Sequence, residues 1–254
     1  MNKILGLIKS KKQAFAELPF FLHITDKTIH PATRLAFAPA FSFFVMGFAE
    51  LNEQVLRTET STDPIQLLIN QHTREDDKHW MFFIHDLEML GINFEMKFAD
   101  ALKYLFHKDN LPSRRIIYSL HAIASRLANP TQKLIMIEAI EATADIFLKS
   151  TDVLIQDLKK STQMNYMYFG GTHLTLDSSH SIHDGQIQDI MESIELTEAQ
   201  EQDAIAIVEQ VFTMFEKFFS ELLDYAQKYP DFQEFPNFPS TQFNPLMELS
   251  GVSA

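Results

Sequence analysis

Three residues able to hold a metal ion recur at one spacing in this sequence. His173, Asp177 and His180 stand at offsets 0, 4 and 7, and His72, Asp76 and His79 repeat the arrangement 101 residues earlier. On an α-helix those offsets fall within about 60° of arc, a single stripe two turns long. The chain's own His and Asp fractions would give on the order of a few hundredths of such a match by chance. Imidazole with carboxylate suits iron, manganese or zinc, and a mixed nitrogen and oxygen set holding two ions favours iron or manganese over calcium or magnesium. No cysteine is present, so thiolate zinc sites, disulfides and a cysteine nucleophile are all excluded.

Such stripes need long helices to carry them. Seven glycines and ten prolines in 254 residues leave room for uninterrupted helices and little for a many-turned β protein. At 46% hydrophobic residues the chain can bury a sizeable core. We read it as one all-α domain over 1–254: a basic N-terminal helix and linker to residue 30, a bundle core over 31–228, and an extended Phe/Pro-rich tail over 229–254. The N-terminal helix, residues 2–17, has Ile4, Leu5, Ile8 and Phe15 as its apolar side and is expected to pack on the body. The net charge of -13 disfavours nucleic acid and anionic membranes as partners. The apolar run Ile4–Ile8 is too short for a signal-peptide core, and no run approaches a membrane span, so the expectation is a soluble cytoplasmic chain.

A nearly all-round apolar helix is expected over 32–57, kinked at Pro39 and bearing Glu50 and Glu53. Asp63-Pro64 opens the first motif helix, which should run to Leu90 and stop at Gly91. Further helices are expected over 94–107, with Phe94, Phe98, Leu102 and Leu105 as its apolar stripe, and over 112–127. A long one over 131–161 holds Glu138 and Glu141 among isoleucines, where unpartnered carboxylates would be costly. Gly170-Gly171 precedes the second motif helix, which Gly185 ends or bends, and Thr197 with Gln200 forms a capping box for a helix over 198–228. A carboxylate-bearing apolar helix therefore precedes a His/Asp/His helix twice, an internal pseudo-repeat. Carboxylate-bridged two-metal bundles take a Glu from each of two helices and a carboxylate-x-x-His pair from each of two others. Here the pairs are Asp76 with His79 and Asp177 with His180; the single carboxylates are Glu138 or Glu141, and Glu50 or Glu53.

These motifs resemble those of the heme-oxygenase-like proteins, specifically the heme-oxygenase-like di-iron oxidases and oxygenases. In that family a glutamate precedes a His-x-x-x-Asp-x-x-His helix, and an earlier helix supplies an acidic residue and a histidine. Glu141 stands 32 residues before His173, and His173, Asp177 and His180 match the closing motif position by position. His79 matches the earlier histidine. The chain departs two turns before it, where the family has a glutamate and this sequence has His72; His72, Asp76 or Glu75 would bind in its place. The resemblance implies a heme-oxygenase-like multi-helical bundle, two iron ions (or manganese), and dioxygen activation on a small organic substrate, with a homodimer left open. The metal set is then His72, Asp76, His79, Glu141, His173, Asp177 and His180. The thiaminase (TenA-like) branch of the fold uses a cysteine that this chain lacks, so the alternative from that side is a metal-free small-molecule-binding protein without catalysis. A heme-degrading relative would need a proximal histidine, for which only His23 or His30 is placed, and both metal-spaced motifs would then go unexplained.

Overall fold

The computed structural model describes residues 1–93, 95–179 and 190–231, the backbone alone for 176–179. Among them every regular element is helical. Besides short helical turns, these are in chain order α1 (Asn2–Phe15), α2 (Pro19–Thr25), α3 (Pro31–Arg34), α4 (Ala38–Leu51), α5 (Pro64–Asp76), α6 (Trp80–Met89), α7 (Phe98–Phe106), α8 (Leu111–Ala124), α9 (Pro130–Thr162), α10 (Gly171–Ser179) and α11 (Glu198–Lys228).

The long elements start and stop where local chemistry directs. Asn129 caps α9 by accepting from the Gln132 amide at 3.0 Å, and Pro130 occupies the first turn, where its missing N–H costs nothing. Thr197 and Gln200 form the reciprocal capping box of α11. Asp63 accepts from the amides of Ile65 and Gln66 to start α5. Gly91 follows α6 with φ +76°, a backbone conformation that glycine adopts freely.

Two long helices expected from periodicity are broken. The segment 32–57 divides into α3, a turn over 35–37, α4, and a widened π turn over Asn52–Leu56. Pro39 opens α4 rather than kinking it, because it has no N–H for the Leu35 carbonyl and its ring would clash there. The first motif helix divides at Asp77-Lys78-His79, where the His79 amide bonds the Asp76 carbonyl three residues back, a tightened turn. Arg57 grips this point, donating to the Thr73 carbonyl at 2.8 Å and to Asp77 Oδ2 at 2.6 Å, a cation on the carbonyl end of α5. Helix α7 starts at Phe98 rather than 94, and Phe98 and Leu102 of its expected apolar stripe face solvent, 78% and 43% exposed. Tyr104 anchors that helix instead, its hydroxyl 3.3 Å from that of Tyr225.

Helix α9 is the spine: at 33 residues it is about 50 Å long, and α1, α2, α3, α5, α10 and α11 all pack on it. Phenylalanine fills the space between. Phe41 of α4 stacks on Phe147 of α9 (5.1 Å, 26°) and Phe218 of α11 (5.8 Å, 16°), while Phe15, Phe21 and Phe219 tie α1 and α2 to the same layer. Ile4, Ile8 and Phe15 of α1 are buried, and Lys12 pairs with Asp145 at 2.6 Å, so α1 lies against the body. The tail beyond Asp231, Gly185 and Phe94 lie outside the described residues.

Helices α4 and α8 are in tight contact at Gly47, where an added Cβ would lie 2.6 Å from Ile117 Cγ2. Gly47→Ala is expected to lower stability in thermal or urea denaturation. Overpacking costs about 1–3 kcal/mol, more than the roughly 1 kcal/mol of helix propensity that alanine gains. Combined with Ile117→Ala the loss should be smaller than the sum of the two, because the second change empties the space that the first requires.

Candidate metal centre

Five polar side chains converge at one end of the aromatic core. His72 and Asp76 come from the last turn and a half of α5, His79 from the turn after it, Glu141 from the middle of α9, and His173 from the start of α10. His72 Nε2 lies 3.1 Å from Asp76 Oδ2 and 3.4 Å from Glu141 Oε1. The other oxygen of Asp76 faces His79 Nδ1 at 3.8 Å, and His79 Nδ1 faces His173 Nε2 at 2.9 Å. Asp76 therefore joins two groups, a buried His72/Asp76/Glu141 cluster and a His79/His173 pair.

The donor set fits a metal. One ligand atom from each of His72, Asp76 and Glu141 lies within 4.8 Å of the others, and all three residues are buried. Two imidazole nitrogens held at right angles about 2.1 Å from one ion would be about 3.0 Å apart, close to the 2.9 Å between His79 and His173. A carboxylate with one oxygen toward each group has the form of a bridging ligand.

Electrostatics within the cluster are tightly balanced. Burial alone would push the His72 imidazole down, but Asp76, and then Glu141, raise it well above its ordinary value, so His72 is a cation between two carboxylates. Glu138, one turn before Glu141, does not join them. Its Oε1 is buried with no hydrogen-bond partner among the described residues, and burial, reinforced by the charge of Glu141, pushes it up to about 7. Glu50 and Glu53 are exposed, and Glu75 turns to Gln71 at 3.1 Å. Asp177 belongs to α10, so its backbone follows His173 by one turn, while its side chain and all of His180 lie outside the described residues. His30 caps α3, its Nδ1 accepting from the Ala32 amide at 3.3 Å.

A cavity of about 70 Å³ opens beside the cluster, lined by Asp76, His79, Glu141 and His173 at one end and by the rings of Phe41, Phe44, Phe48, Phe147, Phe215 and Phe219 elsewhere. On the usual allowance per buried water it could hold roughly five, or a small apolar group. Trp80, also in the lining and 39% exposed, marks where it reaches the surface.

Two contributors had gone unremarked in the sequence. Tyr168 presents its carbonyl to His173 Nδ1 at 3.0 Å and packs its ring at 4.6 Å. Asp86, fully buried on α6, receives the amides of Met167 and Phe169. A carboxylate inside the run Trp80–Leu87 was a signal of the same kind as the glutamates of α9.

No family model matches the sequence, and no curated protein matches it. Among solved structures it is similar to a domain of unknown function with a heme oxygenase-like fold from Shewanella denitrificans: TM-score 0.58, 14% identity, 91% of this chain and 93% of that one covered. The chain has the heme oxygenase-like fold, all-α, and its buried His72/Asp76/Glu141 group could bind a metal. No described helix is long and apolar enough to cross a membrane.

In the metal-free protein Glu138 keeps its proton up to about pH 7, whereas in the unfolded chain it loses it near the ordinary 4.5. Between those values the native state binds the extra proton, so stability falls as pH rises, by at most about 1.4 kcal/mol per pH unit. Glu138→Gln should flatten that slope and leave the variant more stable than wild type above pH 7 in urea titrations across the range.

Proposed function

We propose that the protein is a metal-dependent oxidoreductase that uses a non-heme pair of iron ions, or manganese, to activate dioxygen on a small organic substrate. The observation that carries this reading is Asp76, which turns one carboxylate oxygen toward His72, itself beside Glu141, and the other toward His79. His72, Asp76 and Glu141 would hold one ion. His79 and His173, with Asp177 and His180 as their spacing and the family resemblance imply, would complete the shell of the other. The metal pair would supply the binding and reduction of dioxygen, which no side chain of this protein can perform.

The chain's own part is positioning and exclusion. Phe41, Phe44, Phe147 and Phe215 make a dry wall against which an apolar substrate group can lie beside the histidines. The Thr143 hydroxyl, also in the lining, donates to the Ile140 carbonyl at 2.8 Å and so adds no competing donor.

A second reading has an observation of its own. The His72 cation between Asp76 and Glu141 is already compensated without a metal, which supports a metal-free binding protein with a polar end to its pocket. Elemental analysis separates the two. Untagged protein reconstituted anaerobically with ferrous iron should retain about two irons per chain, and Glu141→Ala and His173→Ala should each lower that content. Admitting air should then change the absorption spectrum and consume oxygen. Protein that binds no iron under these conditions overturns the oxidoreductase reading and leaves the binding module.

A further inference from the structure

The His173 ring is hydrogen-bonded to the segment that precedes its own helix. Its Nδ1 is 3.0 Å from the carbonyl of Tyr168, and a carbonyl can only accept, so Nδ1 carries the proton and a neutral ring leaves Nε2 bare. That bare nitrogen is the one that faces His79 Nδ1. The Tyr168 carbonyl belongs to the irregular segment between α9 and α10, and without an anchor it could turn away.

The anchor is Asp86. Its Oδ1 accepts the Met167 amide at 2.6 Å and its Oδ2 the Phe169 amide at 2.9 Å, so one carboxylate clamps the residues on both sides of Tyr168. Asp86 is 0% exposed, among the phenylalanines of α6. A buried carboxylate is costly unless its lone pairs are used, and each of its oxygens receives one of these amides. The same segment bonds once more to α10, the His173 amide donating to the Met167 carbonyl at 3.1 Å.

We propose that Asp86 is the positioning residue for His173: by clamping the peptides around Tyr168 it holds His173 in the Nδ1–H tautomer with Nε2 turned to the metal site. This rests on the metal-centre reading for its purpose, though not for its geometry. Partners behind a ligating histidine commonly change metal affinity 10–100-fold when removed. Asparagine has nearly the shape of aspartate but only one acceptor oxygen, so Asp86→Asn sets its NH₂ against one of the two amides. Asp86→Glu keeps both acceptors.

The test is a long-range ¹H–¹⁵N correlation spectrum of the histidine rings in the full, metal-free chain above neutral pH, with the His173 signals assigned by their loss in His173→Gln. Wild type should show His173 with its proton on Nδ1, Asp86→Asn a mixture of tautomers, and Asp86→Glu the wild-type pattern. Titration with cobalt(II) should show affinity 10–100-fold weaker in Asp86→Asn than in wild type. A wild-type His173 with its proton on Nε2 overturns the proposal, and needs no variant to fold. So does an Asp86→Asn protein with lowered Tm but unchanged tautomer and cobalt affinity, since Asp86 would then serve stability alone. A tautomer change in a chain that binds no metal even as wild type sustains the positioning role and removes the metal-centre reading instead.

Discussion

Two carboxylates, Asp76 and Glu141, lie buried against a core rich in phenylalanine, and their charge must be balanced there. An isolated buried carboxylate is costly enough that it would shift to its neutral form or unfold its surroundings. His72 supplies the balance in the metal-free protein, a cation 3.1 Å from one and 3.4 Å from the other. The same three side chains have the composition and spacing of a metal shell, so the proton on His72 and a metal ion would compete for one cluster. The placement of the helices can be understood as what keeps these groups together and dry.

The spine helix α9 brings Glu141 to the cluster, and the aromatic layer between α4, α9 and α11 closes the space beside it. The break between α5 and α6 has a direct consequence for the site. Because the chain turns tightly at 77–79, His79 is not simply the next rung of the His72/Asp76 stripe; it is carried at the head of α6, where its ring stacks on Phe82 (22°) and its Nδ1 meets His173. Arg57, bonded to Thr73 and Asp77, ties that turn to the segment after α4. The site is thus assembled from three stretches distant in sequence, each fixed by partners outside the cluster.

The capped, proline-opened start of α5, the capping box of α11 and the Gly91 stop were legible because each depends on side chains within a few residues. Periodicity was a weaker guide to continuity. An apolar pattern stays nearly in phase across one tightened turn, so 63–90 reads as a single helix although the backbone breaks at 77–79. Pro39 did mark an interruption, although as the start of α4 and not a kink, whereas the π turn at 52–56 carried no such mark. At the site, spacing singled out His72, Asp76, His79 and His173, but periodicity did not separate Glu138 from Glu141, and only the family resemblance favoured Glu141. They stand three residues apart on one helix, and only the neighbours of each decide which meets a histidine.

What the sequence by itself determined was the inventory: an all-α chain without thiols, two His/Asp/His motifs, and acids inside apolar helices. These follow from residue type and short-range spacing, which act through local backbone geometry. The tertiary structure decided which donors meet. It set Glu141 rather than Glu138 beside His72, drew His79 and His173 together from 94 residues apart, and placed Asp86 behind Tyr168 by bonding it to Met167, 81 residues away. Those pairings depend on how helices cross, and crossing is settled by the packing of many side chains at once, which no window of sequence contains.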